Sequence, residues 1–280
     1  MTAAIGLDGV RYQYAGARTW ALDGVDLSVE AGEILGVIGP NDAGKSTVCL
    51  VAAGLAPAVT GGRLEGAVWL VDAPTAGLPA HEAARRCGFL FQNPLAQLSG
   101  TAATVWEEIA FGPRNVGLDR GLIAERVGAA LGLLRIDHLA ARDPGKLSGG
   151  QAQLVAMASV LALAPRALVL DEPTSQLDPE GTRLVGEAIR RIADETGSAV
   201  LLVEHKTALL DAISDRVAVL SAGRTVTVGP ARDVLAGDAL VELGIDPPPG
   251  VRLRRAATTS GVPIRARDAL AAAIDAEAAR

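Results

Sequence analysis

The chain has 280 residues, of which 49% are hydrophobic and 21% are charged, and its formal net charge is −6. This size is ample for a packed core in one large domain or a domain with a subdomain, and the acidic balance gives no support to a nucleic-acid surface. The apolar run from Leu154 to Ala164 is too short for a membrane helix, no export signal is visible, and two cysteines make no disulfide framework, so we expect a cytosolic chain.

Residues 5–32 alternate apolar and polar side chains, which predicts antiparallel strands. Tyr14 lies within this stretch. Its pattern is compatible with a half-buried strand residue, the commoner case for tyrosine, or with a ring that stacks on a purine base.

A glycine-rich segment follows a short apolar run, residues 33–38, that predicts a buried strand, and it precedes a helical stretch that Gly54 stops. The segment fits the phosphate-loop pattern and consists of Gly39, Pro40, Asn41, Asp42, Ala43, Gly44, Lys45, Ser46 and Thr47. A strand, a glycine loop and a helix turn backbone N–H groups toward a phosphate. Lys45 would supply positive charge, and the Ser46 hydroxyl could bind Mg²⁺. The alternative is an ordinary glycine turn, against which Lys45-Ser46 at the helix start argues.

Residues 61–94 predict two strands, over 67–71 and 88–91, separated by a short helix near 79–86. Pro94 ends the second strand, so Gln92 lies at its carboxyl end. In open α/β sheets, this edge is where ligands bind.

Residues 95–165 have helical spacing over 104–115 and 122–134, which indicates a helical subdomain inserted into an α/β core. This part closes with a polar turn that precedes an apolar helix, and the turn consists of Leu147, Ser148, Gly149, Gly150 and Gln151. Ser148 is well placed as an N-cap. The two glycines leave the first amides of the helix bare, which predicts a second anion site.

The apolar run 167–170 predicts a central parallel strand that ends in Asp171 and Glu172. One carboxylate could hold Mg²⁺ while the other acts on a water molecule. A solvated acidic loop is the alternative, but a phosphate loop in the same chain favours the active role. The next buried strand, 199–203, ends in Glu204 and His205. A lone histidine is more often structural than catalytic, yet this one follows the same kind of strand end.

Residues 215–229 predict a hairpin, and residues 234–243 a short helix. A break at 247–250 precedes a basic cluster at 252–255, interpreted as solvated, and an Ala-rich helix over 265–280.

Together these motifs resemble the ATP-binding-cassette (ABC) ATPases over roughly residues 5–230. The resemblance implies an α/β P-loop NTPase core with an N-terminal antiparallel β subdomain, an inserted α-helical subdomain at about 95–165, and a C-terminal helical extension, 231–280, that could dimerise. It identifies residues 39–47 as the Walker A loop, residues 168–172 as Walker B and Leu147–Gln151 as the signature. Gln92 corresponds to the Q-loop glutamine and residues 175–178 to the D-loop. His205 corresponds to the switch histidine, and Tyr14 to the aromatic residue that stacks on the base.

The resemblance also implies ATP and Mg²⁺ as cofactors and a head-to-tail pair of ATPase subunits, in which each signature turn caps the ATP of the other subunit. Lys45 and its loop would grip the phosphates, while Ser46, Asp171 and Gln92 would arrange Mg²⁺. Glu172 would polarise the attacking water and His205 would contact the γ-phosphate. Such catalysis is mainly positioning and charge stabilisation.

Within the family, the sequences at 91–94, 97–98, 203–205 and 243–247 resemble the energy-coupling-factor type of importer ATPase. This type implies a peripheral position on the cytoplasmic face of the membrane. Its partners are an integral transmembrane subunit and a separate membrane protein that captures a vitamin or a transition-metal ion. The family places the membrane contact beside Gln92, with residues 95–116.

The chain departs from the family at Asp42 and Ala43, where Gly-Ser or Gly-Ala is usual, and at Ala152 and Leu154, which replace residues that are often basic. We expect Asp42 to tolerate a left-handed backbone and to point away from the nucleotide. The runner-up is an ordinary binding-protein-dependent importer. Soluble ABC ATPases of translation carry two cassettes in one chain, whereas this chain shows one. Those of repair separate their halves by long insertions, and none is seen here. The intact signature disfavours a P-loop kinase, and intact Glu172 and His205 disfavour an inactive scaffold.

Overall fold

The computed structural model describes residues 3–259 together with Ala269 and Ala273. The predicted helix over 265–280 therefore lies outside the described residues, apart from these two alanines. In the described part, the strands are β1 (Ile5–Gln13), β2 (Leu22–Val29), β3 (Ile34–Ile38), β4 (Arg63–Leu70), β5 (Cys87–Leu90), β6 (Ala167–Asp171), β7 (Ala199–Val203), β8 (Arg216–Ser221) and β9 (Arg224–Pro230).

The described helices include those predicted up to residue 196, but the single short helix expected over 234–243 is two helices, and the helices at 207–213 and 249–259 were not predicted. The described helices are α1 (Lys45–Ala52), α2 (Ala80–Arg86), α3 (Val105–Asn115), α4 (Arg120–Leu133), α5 (Gly149–Leu161), α6 (Pro179–Thr196), α7 (Thr207–Ile213), α8 (Ala231–Leu235), α9 (Asp238–Glu242) and α10 (Pro249–Thr259). Within this part of the chain, no helix combines the length and the apolar character that crossing a bilayer demands.

The first sheet is antiparallel, with the strand order β2-β1-β4. Val10 and Tyr12 of β1 are fully buried, whereas Asp8 and Gly9 are exposed, so one face of this sheet packs on the core. The predicted antiparallel strands are confirmed, but strict alternation fails in the first half of β1, where Ile5, Gly6 and Leu7 are all buried and the register shifts before Val10. The sheet is the N-terminal antiparallel β subdomain of the predicted fold.

The second sheet carries the core, with the order β5-β6-β7-β3-β8-β9. Its neighbouring strands are parallel, except that β9 runs antiparallel to β8. Every residue of β3, β6 and β7 is buried, as expected for parallel strands covered on both faces. Because β5, β6 and β7 are adjacent and parallel, the residues that follow them meet at one edge.

The segment between β5 and β6 is helical. All of residues 91–166 are described, and none of them lies in a strand. Helices α3, α4 and α5 pack on one another. Thr104 caps α3 by accepting from the Glu107 amide, and Asp119 caps α4 by accepting from the Leu122 amide. This confirms the inserted helical subdomain.

The C-terminal helices pack on the core rather than extending from it. Leu235 of α8 and Leu240 of α9 are fully buried in the main hydrophobic cluster. Arg255 of α10 donates to the Ala236 carbonyl and forms an ion pair with Asp238 at 2.9 Å. Arg255 is thus a surface residue that is held by an exposed ion pair and a backbone carbonyl.

Candidate active site

The loop between β3 and α1 depends on two glycines. A Cβ on Gly39 would overlap the Leu220 carbonyl oxygen. Gly44 has φ +95°, and a Cβ there would lie 2.9 Å from the Ala21 carbonyl oxygen. Any other residue would push the loop off β8 or off the segment before β2. No side chain caps Gly44, so the first amides of α1 stay available to an anion.

Lys45 crosses this loop. Its ammonium donates to the Gly39 carbonyl at 2.9 Å and to the Pro40 carbonyl at 2.8 Å, and the residue is only 7% exposed. Burial lowers the pKa of Lys45, while the charges of Glu172 and Asp171 oppose that fall. A buried ammonium at the start of an uncapped helix suits a polyphosphate.

Asp42 and Ala43, the two loop residues that depart from the family pattern, are compatible with the local structure. Asp42 is exposed and has φ 62°, so it adopts the left-handed backbone that was expected, while the small Ala43 is buried. Tyr14 follows β1, is 36% exposed, and places its hydroxyl 3.2 Å from the Thr47 Oγ1 atom. The ring therefore borders the phosphate loop, and its stacking on a base stays a prediction.

Gln92, Glu172 and His205, which follow three neighbouring strands, meet in the structure, with Glu172 in the middle. Its Oε2 atom accepts from the Gln92 amide at 2.8 Å, and its Oε1 atom lies 2.9 Å from the His205 Nε2 atom. The Glu172 side chain is 14% exposed, against 42% for His205. The amide and the imidazole hold the carboxylate in one orientation, which suits a group that positions a water molecule. The observed bond of Gln92 is thus to Glu172, and its predicted role at Mg²⁺ stays a prediction.

Asp171 lies on the other side of this edge, next to the phosphate loop. The Ser46 hydroxyl lies beside its carboxylate, while its Oδ1 atom is buried without a hydrogen-bond partner. Burial raises the pKa of Asp171. A buried carboxylate oxygen with spare capacity beside a hydroxyl is a donor set that fits a hard cation such as Mg²⁺. No cluster of three or more His, Cys, Asp or Glu ligands occurs among the described residues, so phosphate oxygens would complete the shell.

We expect Asp171→Asn to stabilise the nucleotide-free chain. Because burial raises the pKa of Asp171, its favourable contribution is present at low pH and is lost as the pH rises through the folded pKa. The gain in Tm from the neutral amide should therefore be larger at about pH 8 than at about pH 4.5. Each kcal/mol released would raise Tm by about 2–4 °C.

Thermal unfolding without nucleotide or divalent cation measures this. Asp143→Asn is the control, because its exposed carboxylate has a pKa lowered chiefly by the Gly145 amide. This control should show no gain at high pH. A gain for Asp171→Asn that is equal at both pH values would contradict the burial of a charge at this position.

The polar turn before α5 is open to solvent. Ser148 and Gly149 are exposed, and Ser148 caps α5 through a capping box with Gln151. The side chain of Gln176, in the D-loop, lies against Gly149 so closely that a Cβ there would clash. Within the described residues, no hydrogen bond joins this turn to the loop 39–47. Ser148 and Gly149 therefore face solvent in the single chain.

The unusual residues of α5 serve the core. Ala152 is 3% exposed, and Leu154 packs against the main hydrophobic cluster. Between them, the fully buried Gln153 donates from its Nε2 atom to the Pro173 carbonyl at 2.9 Å. Sequence reasoning missed this bond, which links the signature helix to the residue after Glu172.

Sequence reasoning also missed the residues on either side of His205. Glu204 is 2% exposed and accepts from the Thr174 hydroxyl, and Lys206 donates to the Leu177 carbonyl of the D-loop. A glutamate directly after a buried strand could have signalled the first. A cavity of 580 Å³ beside His205 is bordered by Pro40 and by the C-terminal segment around Asp246, whose carbonyl accepts from the Thr207 hydroxyl at 3.0 Å.

This fold and this arrangement of a phosphate loop, paired carboxylates and an exposed signature turn define an ABC-type ATPase. The family described as "ABC transporter" matches residues 22–175. The energy-coupling factor transporter ATP-binding protein EcfA1 of Symbiobacterium thermophilum is 40% identical over 274 residues, covering 92% of this chain and 90% of that protein. The chain therefore belongs to the ABC transporter family, as an ATP-binding subunit that hydrolyses ATP.

Two solved structures are similar over most of this chain. One is cbiO1 from Clostridium perfringens, part of the ABC transporter complex cbiONQ, with a TM-score of 0.71, 29% identity, and coverage of 86% of this chain and 94% of that one. The other is the dimeric structure of MJ0796, a bacterial ABC transporter cassette, with a TM-score of 0.72, 25% identity, and coverage of 81% and 99%.

Proposed function

We propose that this subunit energises a membrane importer of the energy-coupling-factor type, which takes up a vitamin or a transition-metal ion. Relatives that carry the energy-coupling-factor name support the type. The subunit would sit on the cytoplasmic face of the membrane. It would work with a second ATPase subunit, an integral transport subunit and a separate substrate-capture protein, and no nucleic acid would be involved.

The observation that carries this proposal is a set of exposed apolar side chains on either side of Gln92 and on helix α3, which we call the apolar surface: Phe91, Leu95 and Phe111. These side chains are 37%, 71% and 44% exposed. Large apolar side chains left exposed in this way suit a site of interaction. A partner with an apolar helical segment would bury them.

Hydrogen bonds connect the segment that carries this apolar surface to Glu172 in the proposed hydrolytic site. Gln92, between Phe91 and Leu95, donates to Glu172. On the other side, the buried Glu108 of α3 accepts from the Ser99 amide at 2.6 Å and from the Ser99 hydroxyl at 2.7 Å. In the proposed mechanism, the segment after Gln92 and helix α3 would move as one unit, and a change at Glu172 would reach the partner through them.

In the proposed reaction, the loop 39–47 and Lys45 hold the phosphates, while Tyr14 stacks on the base. Glu172 polarises the attacking water, and His205 stabilises the γ-phosphate. Ser46, Asp171 and Gln92 would hold Mg²⁺, which neutralises charge on the phosphate oxygens.

In the pair of subunits, Ser148, Gly149, Gly150 and Gln151 of one chain would cap the ATP held by the other. Closure with ATP and opening after hydrolysis would move the membrane subunit. The exposed position of this turn supports such a shared site.

We expect Leu95→Glu to uncouple the subunit from its partner. A charge in the middle of an apolar contact is costly to desolvate, so co-purification with the membrane subunit and its transport should be lost, while the ATPase activity of the isolated chain persists. Val226→Glu is the matched control, because Val226 is an equally apolar residue, 50% exposed, on β9. Equal loss with both variants, or none with Leu95→Glu, would contradict the proposal.

Identification of the proteins that co-purify with the chain from its native membrane tests the transporter type. A transmembrane subunit with a small capture protein supports the energy-coupling-factor type. A complex that needs a soluble or lipid-anchored binding protein would instead favour an ordinary ABC importer.

A further inference from the structure

The turn Glu204–Lys206 is joined to the D-loop region by four hydrogen bonds, one through Glu204 and three through Lys206. Glu204 follows β7 directly, and its amide donates to the Val37 carbonyl of β3 at 3.2 Å. Its Oε1 atom accepts from the amides of His205 and Lys206 at 2.8 and 3.1 Å. The glutamate thus fixes the backbone that presents His205, next to the strand that enters the phosphate loop.

The other oxygen of Glu204 points to the opposite side of the site. Its Oε2 atom accepts from the Thr174 hydroxyl at 2.5 Å, and both residues are buried. Thr174 directly precedes the D-loop, residues 175–178. A buried carboxylate whose partners all come from this turn and Thr174 makes a rigid connection, because losing any partner would leave a buried charge short of a hydrogen bond.

Lys206 makes the second connection. Its ammonium donates to the Thr174 carbonyl at 2.9 Å, to the Leu177 carbonyl at 3.4 Å and to the Thr182 hydroxyl at 2.7 Å. The acceptors lie before, within and after the turn into α6. All three ammonium protons have an acceptor, so Lys206 fixes the two ends of the D-loop relative to the start of α6.

The D-loop in turn contacts the signature turn. Gln176 lies against Gly149, and Gly150 approaches the Gln176 carbonyl and Leu177. In a head-to-tail pair, His205 serves the nucleotide of its own chain, while Gly149 of the same chain serves the nucleotide of the neighbour. A contact path from His205 through Lys206 and the D-loop to Gly149 therefore runs from one site to the other.

We propose that Glu204, Thr174, Lys206 and Thr182 form a clamp that couples the two nucleotide sites of the pair, so that the state of the γ-phosphate at one site sets the position of the signature turn at the other. These are positioning residues, and the inference rests on the shared-site arrangement of the proposed function. Coupling between two binding sites in proteins commonly changes an affinity by about 5- to 150-fold.

Lys206→Met tests the clamp, because methionine keeps the apolar stem and removes all three donors. The unaltered chain should hydrolyse ATP with a Hill coefficient above 1, and Lys206→Met should bring it to about 1, since two uncoupled sites respond independently. ATP binding to a single chain should stay unchanged. Hydrogen exchange of the amides 174–182 should respond to ATP in the unaltered chain and lose that response in the variant.

Two further variants separate coupling from folding. Thr182→Val removes one acceptor with little change in volume and should lower the Hill coefficient in the same direction. Arg191→Met is the matched control, because in the described part of the chain Arg191 forms an ion pair with Glu195 on the outer face of α6, and both side chains are about 60% exposed. It removes the same charge and should leave the Hill coefficient unaltered.

The outcomes distinguish the clamp from the proposed function. If Glu172→Gln dimerises with ATP but Lys206→Met keeps the Hill coefficient of the unaltered chain, the clamp alone is overturned. If the unaltered chain shows a Hill coefficient of 1 yet drives transport, the clamp is again overturned and the importer stands. If Glu172→Gln stays monomeric with ATP, the shared site fails and the clamp fails with it.

Discussion

Glu172→Gln should retain ATP binding, stop turnover and accumulate a closed pair of subunits. The amide keeps the size of the side chain and can still bond to Gln92 and His205, whose atoms lie at 2.8 and 2.9 Å from the carboxylate. It is not basic enough to draw a proton from water, and losing a general base costs about 10²- to 10⁴-fold in rate. The phosphate loop is untouched, so affinity for ATP should persist.

Steady-state ATPase assays and light scattering with ATP measure the two effects. Glu180→Gln is the control, since Glu180 is an exposed acid on the first turn of α6, and it should behave like the unaltered chain. Normal hydrolysis by Glu172→Gln would remove this residue from its proposed role. Loss of ATP binding would show instead that its charge supports the loop around Lys45.

Ser148→Arg should abolish hydrolysis while each monomer still binds ATP. Ser148 is exposed at the start of α5, so a long cationic side chain would project where the neighbouring nucleotide should dock. The lost cap costs about 1 kcal/mol of stability. Ser148→Ala is therefore the control, because it loses the cap and adds no bulk, and it should retain most of the activity.

A complementation experiment then tests whether the site is shared. Ser148→Arg chains mixed with Lys45→Ala chains would form pairs in which one site joins an intact loop to an intact signature turn. A two-fold symmetric pair has two such sites, and half of the randomly formed pairs are mixed, so about a quarter of full activity should return. No recovery with demonstrated mixed pairs would indicate that each chain completes its own site.

The phosphate loop could be predicted from the sequence because a contiguous motif carries its own geometry. A loop of this type would bind phosphate mainly through backbone groups and the helix start, so the spacing of Gly39, Gly44 and Lys45 already specifies the local shape. The meeting of Gln92, Glu172 and His205 was also predictable in outline. Each follows a predicted strand, and parallel strands end at one edge.

The assignment of strands to sheets was not predictable in the same way. The patterns of 67–71 and 88–91 look alike as short apolar runs, yet β4 joins the antiparallel sheet and β5 joins the parallel sheet. Pairing depends on partners far along the chain, such as Val68 with Leu7 and Leu90 with Leu170. A local pattern specifies a strand but not its neighbour.

The sequence by itself determined the family, the phosphate loop, the paired carboxylates and the signature turn, because these are short segments whose chemistry depends on the order of residues. Only the tertiary structure decided how they are connected. The partners of Lys206 include the carbonyls of Thr174 and Leu177, and every residue type carries a carbonyl. A bond to the backbone leaves no mark in the sequence, so the link between the switch histidine and the D-loop appears only when the chain is folded.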